Sequence, residues 1–589
     1  MIVLGALPAL ALLLIWLRLV SSRGWREALV AAAVVWGVLV VVSTEALGLI
    51  GQFRFPYVAA FWVVASSIAA AAVVKGGRIG LRPIKLPPTP AFLIRAFPFA
   101  VIAAPTLLVA LVAPPNTWDS MTYHLARVAH WVDQGSVAHY PTETIRQLYL
   151  PPFAEYAIAH FQILTGGDHL ANVVQWSCMV GSVIGVSLIA QELGSPIRGQ
   201  YLAAALAATL PMGILQSAST QNDYVESFWL VCAVIYALRL RQGADIETTL
   251  GVAASIGFAV LTKGTAYVFA VPVLFVAAWW LISQKGISAW RHALLMVLVV
   301  ITINAGAWGR NISTFGSPLG PSQGVANAVF SAPAFASNII RDTSNQLVTP
   351  FAIVNSSIQE AIVQIHGPLG ISPNDPRTTW PGESFHIARF SRNEDTAADP
   401  VQFLLLLAAA VISFIYWRRR KDYAVYMGGL ILAFLLFAFV LRWQPWHSRL
   451  ELPLMVLGAP ATAAVLTAVL SPRVIAATAA VLFVFAVPWL DSDSKRPLVG
   501  PQSVLTSARN DVYFRVRPGD EAAYLQAADQ AHLSGCHVVG IAGNEQSGEY
   551  GLWVYLGSGY RVVAVHPAPG TENLGGGTPP PCIVFVAPS

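Results

Sequence analysis

The sequence predicts a polytopic α-helical membrane protein of about 14 transmembrane helices that ends in a small α/β domain. Of its 589 residues, 56% are hydrophobic and only 11% are charged. Apolar runs of roughly 17 to 22 residues recur along most of the chain, and each is long enough to cross a hydrocarbon core of about 30 Å. Because backbone groups find no other partners in lipid, these runs are expected to be helices. A change of composition after residue 490 predicts the terminal domain.

The apolar runs define the predicted spans. They begin near residues 2, 28, 57, 93, 172, 200, 223, 248, 265, 290, 401, 424, 450 and 473. The first run has no basic segment before it and no small-residue cleavage site after it. It is therefore interpreted as a retained helix and not as a signal peptide.

Basic residues follow every second span and predict the orientation. They include Arg23, Lys75, Arg198, Arg239, Lys285, Arg420 and Arg473. Because loops rich in Lys and Arg stay in the cytoplasm, both termini are expected outside, together with segments 114–171, 217–222, 309–400 and 442–449. The net charge of +5 is spread over short loops, which argues against a nucleic-acid partner.

The chain divides into three predicted parts. Residues 1–92 form an accessory three-helix membrane module, residues 93–490 a transmembrane core, and residues 491–589 an extracytoplasmic tail. In the tail, the runs HVVGIAG, GLWVYLG, YRVVAVHP and CIVFVAP are predicted strands, and EAAYLQAADQAHL is a predicted helix. Cys536 and Cys582 both lie in this part, and whether they form a disulfide stays open.

The first outer segment carries the strongest candidate for chemistry. It begins PPNTWDSMTYHLARVAHW, so that Asp119 is expected at the membrane surface. Partial desolvation there tunes a carboxylate toward general-base work, whereas the alternative is a simple helix cap. Asp119, Tyr123, Arg127 and His130 recur at helical spacing and predict an amphipathic helix, either beside a site or merely lying on the bilayer surface.

An acidic residue after an early span, then an amphipathic helix and a Pro-Pro segment, resembles the GT-C glycosyltransferases. The likeness is to the protein O-mannosyltransferases and the lipid A aminoarabinose transferases, and it covers roughly residues 93–490. Further pieces follow in the family's order: LPPFAEY at 150–156, QNDYVESF at 221–228, LTKG at 261–264, RNISTFGSPLGP at 310–321 and HSRLELPL at 447–454. The fold is therefore expected to be GT-C-like.

The resemblance implies roles for individual residues. Asp119 is the implied catalytic base that deprotonates the acceptor hydroxyl, with inversion at the anomeric carbon. The family's Asp-Glu pair is here Trp-Asp-Ser, so Glu155 or Asp223 is expected to supply the second carboxylate. Lys263 and Arg449 are implied to stabilise the phosphate leaving group. Their alternative roles are a snorkelling helix end and an interface anchor.

Other polar residues of the outer segments are predicted to bind substrate. They are Tyr123, His124, Arg127, Arg310, Asn311 and His386. Around His386, the segment that ends in Glu394 and Asp395 fits an acceptor or sugar site, a metal site or a solvated charged face, of which we favour the last. A divalent metal cofactor, Mg²⁺ or Mn²⁺, stays open.

The predicted function is transfer of a sugar from a polyprenyl-phosphate donor to a glycan, lipid or protein acceptor. The expected place is the outer face of a bacterial plasma membrane, with membrane lipid as a further partner. One alternative is a transporter or flippase, in which charges line a path through the bilayer. The other is a catalytically inactive scaffold, because a fold does not determine function.

Overall fold

The computed structural model describes residues 2–75, 89–322, 324–387, 390–491, 493–576 and 579–588. Within these residues, nine segments are helical and are long and apolar enough to cross a membrane. Each position where a span was predicted to begin lies in a helix or within two residues of one. The polytopic helical architecture is thus confirmed, whereas the number of helices that cross the membrane stays a prediction.

The first three of the four N-terminal helices pack on one another, and the fourth packs on later helices of the chain. They are α1 (Ala6–Val20), α2 (Trp25–Leu49), α3 (Phe55–Lys75) and α4 (Thr89–Val112). Helix α1 packs on α2 and α3. The boundary predicted at residue 92 falls inside α4.

The first outer segment is helical but buried. A π-helical turn, Ser120–His124, leads into α5 (Leu125–Gln134), followed by α6 (Arg146–Tyr149) and α7 (Phe153–Thr165). Every residue from 120 to 131 is buried, so the predicted amphipathic helix exists without lying on the bilayer surface. A π-helical turn shifts the following side chains around the axis. The four residues predicted to share one face therefore point at different partners.

The core of the membrane region is built around α11. The helices here are α8 (Ala171–Glu192), α9 (Ile197–Ala208), α10 (Pro211–Ser217), α11 (Asp223–Arg239), α12 (Ile246–Thr262), α13 (Ala266–Lys285) and α14 (Ala289–Phe315). Helix α11 is buried from Asp223 to Ala237 and packs on α8, α12 and α13. Gly185 lets α8 approach, since a Cβ there would lie 2.3 Å from Val231. Close helix approach through small residues is the usual packing mode in lipid.

The second outer segment and the last membrane helices follow. They are α15 (Ala332–Asn345), α16 (Ala352–Leu369), α17 (Pro400–Ile415), α18 (Lys421–Val440), α19 (His447–Leu450), α20 (Leu452–Val469) and α21 (Pro472–Ala486). Helix α20 is almost wholly buried and packs on α9, α11, α17 and α18. The four-residue helix α19 directly precedes it, which places the residues of α19 at one end of the bundle.

The tail is a small α/β unit. It contains α22 (Arg509–Tyr513), α23 (Glu521–Ser534), β1 (Val538–Ala542), α24 (Glu549–Leu556), β2 (Arg561–Ala564) and β3 (Ile583–Val586). The strands form a parallel sheet in the order β2-β1-β3, and Cys536 forms a disulfide with Cys582. The run GLWVYLG, predicted as a strand, lies largely in α24. Parallel strands need a crossover connection, and α24 lies within the one from β1 to β2.

Candidate functional site

Three carboxylates converge on Arg449 at one end of the helical bundle. Its Nη1 donates to Asp119 Oδ2 at 3.0 Å and to Asp395 Oδ1 at 2.6 Å. Its Nε lies 3.9 Å from Asp223 Oδ2. The Arg449 side chain is only 11% exposed. Segments that are far apart in the sequence thus meet at one guanidinium.

Two lysines extend this arrangement on either side. Lys263, directly after α12, donates from Nζ to Asp223 Oδ1. Lys495, which follows the last membrane helix, has its Nζ 3.8 Å from Asp395 Oδ2. Cations and carboxylates therefore alternate. We call this set the Arg449 cluster: Arg449, Asp119, Asp223, Asp395, Lys263 and Lys495.

Local structure fixes the two carboxylates that the sequence predicted. Asp119 precedes the π-helical turn, whose first backbone N–H, that of Ser120, donates to Thr117 Oγ1 at 3.0 Å. Asp223 is the first residue of α11. The preceding Asn222 donates to the Thr262 carbonyl at 3.0 Å, which ties the start of α11 to the end of α12. The Asp223 and Lys263 side chains meet as a result.

The electrostatic environment keeps Asp119 ionised. Burial raises the pKa of its carboxyl, but Arg449, then His124 and Arg146, and a hydrogen bond from Tyr123 outweigh burial and lower it to about 2. Asp395 differs, because burial raises the pKa of its carboxyl above the ordinary value despite Arg449 and Lys495. Asp119 is thus a carboxylate at neutral pH and accepts hydrogen bonds only.

The cluster can hold an anion and accept a proton, but it does not fit a divalent metal ion. The guanidinium of Arg449 lies where three carboxylates meet, so a cation already takes the position that Mg²⁺ or Mn²⁺ needs. Among the described residues, no group of three or more His, Cys, Asp or Glu side chains is arranged to hold a metal.

Glu155 lies outside the Arg449 cluster. Its Oε1 is 2.5 Å from His124 Nδ1 and 3.6 Å from Arg127 Nη1. Burial raises the pKa of the Glu155 carboxyl, but Arg127 and His124 hold it below the ordinary value. His124 lowers the pKa of Asp119 as well, so it links the two carboxylates. Tyr123 lies close to Asp119, to which it is hydrogen-bonded, and its ring lies 5.1 Å from the Arg146 guanidinium.

Two predicted binding residues hold the backbone of the outer segments. Arg127 donates to the carbonyls of Leu150 at 3.0 Å and Arg146 at 2.9 Å. Asn311 donates to the carbonyls of Tyr149 at 3.0 Å and Pro318 at 2.9 Å. These contacts fix the path of the chain around the site.

Two other predicted residues also lie apart from the cluster. Arg310 makes two bonds to the Glu45 carboxylate, at 2.7 and 2.9 Å, and contacts the Tyr156 hydroxyl. We call these three residues the Arg310 cluster. His386 is exposed, with Nδ1 2.9 Å from the Ser384 carbonyl. Substrate-binding roles for Arg127, Asn311, Arg310 and His386 remain predictions.

The sequence analysis missed part of the site. Asp395 and Glu394 were placed on a solvated face, but Glu394 is fully buried and lies 3.4 Å from both Lys495 and Arg496. Lys495 and Arg496 were not among the predicted site residues. The signal that could have found them is the pair of basic residues on the predicted outer side, where such residues are rare.

Comparisons with known proteins bear on the core. Residues 150–308 match the family model described as dolichyl-phosphate-mannose-protein mannosyltransferase. This stretch contains Glu155, Asp223 and Lys263. No curated protein sequence matches the chain. The family match confirms the resemblance to GT-C membrane glycosyltransferases recognised in the sequence.

Two solved structures are similar at low identity. ArnT from Cupriavidus metallidurans bound to undecaprenyl phosphate is 15% identical, with 80% of this chain and 86% of that chain covered and a TM-score of 0.45. The archaeal oligosaccharyltransferase AglB from Archaeoglobus fulgidus, in complex with an inhibitory peptide and a dolichol-phosphate, is 13% identical with a TM-score of 0.42. The match covers 80% of this chain and 65% of the AglB chain.

Proposed function

We propose that this protein is an inverting glycosyltransferase that moves a sugar from a polyprenyl-phosphate donor to an acceptor hydroxyl on the outer face of a bacterial plasma membrane. The observation that carries the proposal is the Arg449 cluster, in which an ionised carboxylate, Asp119, contacts a cation that suits a phosphate. The family match over residues 150–308 supports the reaction class.

In the proposed reaction, the acceptor hydroxyl gives its proton to Asp119 while its oxygen attacks the anomeric carbon. The bond from that carbon to the phosphate oxygen breaks, and the electron pair leaves with the phosphate. Arg449 and Lys263 stabilise the charge that develops on this leaving group. Attack opposite the leaving group inverts the anomeric configuration.

Arg449 has a free donor for the phosphate. Its Nε and the Asp223 Oδ2 that faces it, 3.9 Å apart, are both buried without a hydrogen-bond partner among the described residues. A phosphate that binds at Nε would draw the guanidinium away from Asp119 and would add a negative charge nearby. The pKa of Asp119, about 2 in the free protein, is then expected to rise, which makes the carboxylate a stronger base when substrate is present.

An apolar groove supports a lipid-linked donor. It lies among α11, α13, α18 and α20, with lining residues that include Val234, Phe269, Leu430 and Leu454. Helix α20 begins three residues after Arg449. Leu454 lies five residues after Arg449, so a polyprenyl chain that enters the groove from this side would have its phosphate near the Arg449 cluster. The proposed acceptor is a hydroxyl of a glycan, a lipid or a protein.

The rival functions receive less support. A transporter needs charges along a path through the bilayer, whereas the Arg449 cluster gathers at the ends of several helices. An inactive scaffold was favoured by the absence of a second adjacent carboxylate. Asp223 and Asp395, both near the guanidinium that Asp119 contacts, weaken that argument.

The test is sugar release from radiolabelled polyprenyl-phosphate sugars by the purified protein and by Asp119→Asn. Loss of a general base is expected to lower turnover about 10²–10⁴-fold. The matched control is Asp133→Asn, which removes a carboxylate of the same outer segment that pairs with exposed Arg561. Unchanged turnover in Asp119→Asn would mean that Asp119 is not the base, and the role would then be assigned to Glu155 or Asp223. No release from any donor by the wild type would contradict the proposed function.

A further inference from the structure

The first residues of the tail, directly after the last membrane helix, are held beside the candidate site. Arg496 is fully buried, and its Nη2 lies 2.8 Å from Asp493 Oδ2 and 3.4 Å from Glu394 Oε1. Its Nη1 donates to Asn116 Oδ1 at 3.0 Å. Asn116 stands three residues before Asp119. The segment is therefore anchored to the same stretch of chain that carries the proposed base.

This anchoring fixes Lys495 with its side chain directed at the Arg449 cluster. Its backbone N–H donates to Asp493 Oδ1 at 2.8 Å, and its carbonyl accepts from Arg515 at 3.2 Å. Among the described residues, the ammonium has only long contacts, a hydrogen bond of 3.4 Å to Glu394 and a distance of 3.8 Å to Asp395. Glu394 already has Arg496 as a partner. The Lys495 ammonium, which carries three donors, thus retains capacity for another anion.

The charges near the site show why an anion would need Lys495. The three carboxylates of the Arg449 cluster carry three negative charges, whereas Lys263 and Arg449 supply two positive charges. The cluster becomes neutral when Lys495 is included. The flanking carboxylates Glu394 and Asp493 are matched by Arg496 and by Arg146, which lowers the pKa of Asp119. Without Lys495 an incoming phosphate would meet a net negative site.

We infer that Lys495 binds the phosphate of the lipid-linked donor, together with Arg449 and Lys263. This inference rests on the proposed function, because it takes the donor's phosphate as the ligand of that same site. The tail connection then supplies one of the three cations that hold the substrate. Donor binding depends on a residue outside the predicted core of 93–490, and the membrane helices alone do not form the complete site.

The experiment measures binding of undecaprenyl phosphate, without a sugar, to the full-length protein in detergent micelles. Lys495→Met is expected to weaken binding at least tenfold, as the loss of a hydrogen bond to a charged group does. Lys495→Arg keeps the charge and should bind more tightly than Lys495→Met. The control Lys285→Met removes an exposed lysine at the end of α13 and should bind like the wild type.

Two comparisons separate the possible failures. If the wild type binds undecaprenyl phosphate no better than undecaprenol, the proposed function is contradicted. If the wild type prefers the phosphate but Lys495→Met binds it equally well, the role of Lys495 is overturned while the proposed function stands. Inorganic phosphate as a competitor distinguishes recognition of the headgroup alone from recognition that needs the lipid. Thermal unfolding of each variant checks that a loss of binding is not a loss of folding.

Discussion

Arg449 and Arg310 were predicted to bind substrate on similar grounds, but they have different surroundings. Arg310 makes two bonds to one carboxylate, Glu45 of α2. Arg449 makes single contacts to Asp119 and Asp395 and has a third carboxylate, Asp223, 3.9 Å from its Nε. Both terminal nitrogens of Arg310 are bonded in a bidentate pair. Arg449, in contrast, has a buried donor without a partner among the described residues.

The difference shows how to separate a structural arginine from a functional one. Arg310 joins α14 to α2, and its partner is satisfied within the fold. The Arg449 cluster is assembled from six separate segments and is not fully satisfied by its own members. An incompletely satisfied buried group costs free energy, and a phosphate bound at Arg449 would satisfy its free donor.

The largest expected effect is on turnover when the two arginines are replaced in turn. Arg449→Gln removes the cation beside the proposed leaving group and should lower turnover about 10²–10³-fold. Arg310→Gln should change turnover per folded molecule far less, because Arg310 lies outside the Arg449 cluster. Both variants are measured at saturating donor. Equal losses would end the distinction between the two clusters.

A second closed cluster should affect stability and not chemistry. Arg509 Nη2 lies 2.7 Å from Asp168 Oδ1, and the hydroxyls of Tyr513 and Tyr550 donate to Asp168 Oδ2 at 2.6 and 2.8 Å. These contacts hold the tail against the first outer segment. Asp168→Asn is expected to destabilise this docking by about 3 kcal/mol, as removal of one partner from a buried pair does.

The matched control for Asp168→Asn is Asp133→Asn. The contact of Asp133 with Arg561, at 2.9 Å, is largely exposed, so its loss should cost less than about 1 kcal/mol. Limited proteolysis of the tail measures both variants. A tail that resists proteolysis equally in the two would mean that docking does not depend on Asp168.

The smallest effect concerns pH. The folded-state pKa of Asp119, about 2, is below its ordinary value, so the charge of Asp119 stabilises the fold above about pH 4, and this contribution is lost as pH falls toward 2. If donor phosphate draws Arg449 away, the acid limb of kcat should lie at higher pH than that of kcat/KM, which reports the free enzyme. Coincident limbs would argue that Arg449 stays on Asp119.

Sequence reasoning predicted the membrane helices well because their signal is local. A run of apolar residues long enough to cross the bilayer reports its own conformation, and all predicted starts fall at helices. The run GLWVYLG shows the limit. Its apolar residues fit a strand or a buried helix equally, and only the parallel pairing of β1 with β2 requires the connection that contains α24.

The site was predictable only in part. The motifs indicated Asp119, Asp223, Lys263 and Arg449, and the structure brings these four together. Nothing local distinguishes Arg310, which pairs with one carboxylate of α2, from Arg449, which contacts carboxylates of several segments. Asp395 was assigned to a solvated face because charge density along a chain does not report which segment will cover it.

Lys495 has one further consequence, for the order in which the molecule is made. Chains fold from the N-terminus as they are synthesised, and the last membrane helix ends at Ala486, ahead of Lys495. Asp119 is synthesised early, but Lys495, which contacts Asp395, is added only after every helix of the bundle has been synthesised. A nascent chain therefore cannot have the complete site before its membrane region has been synthesised.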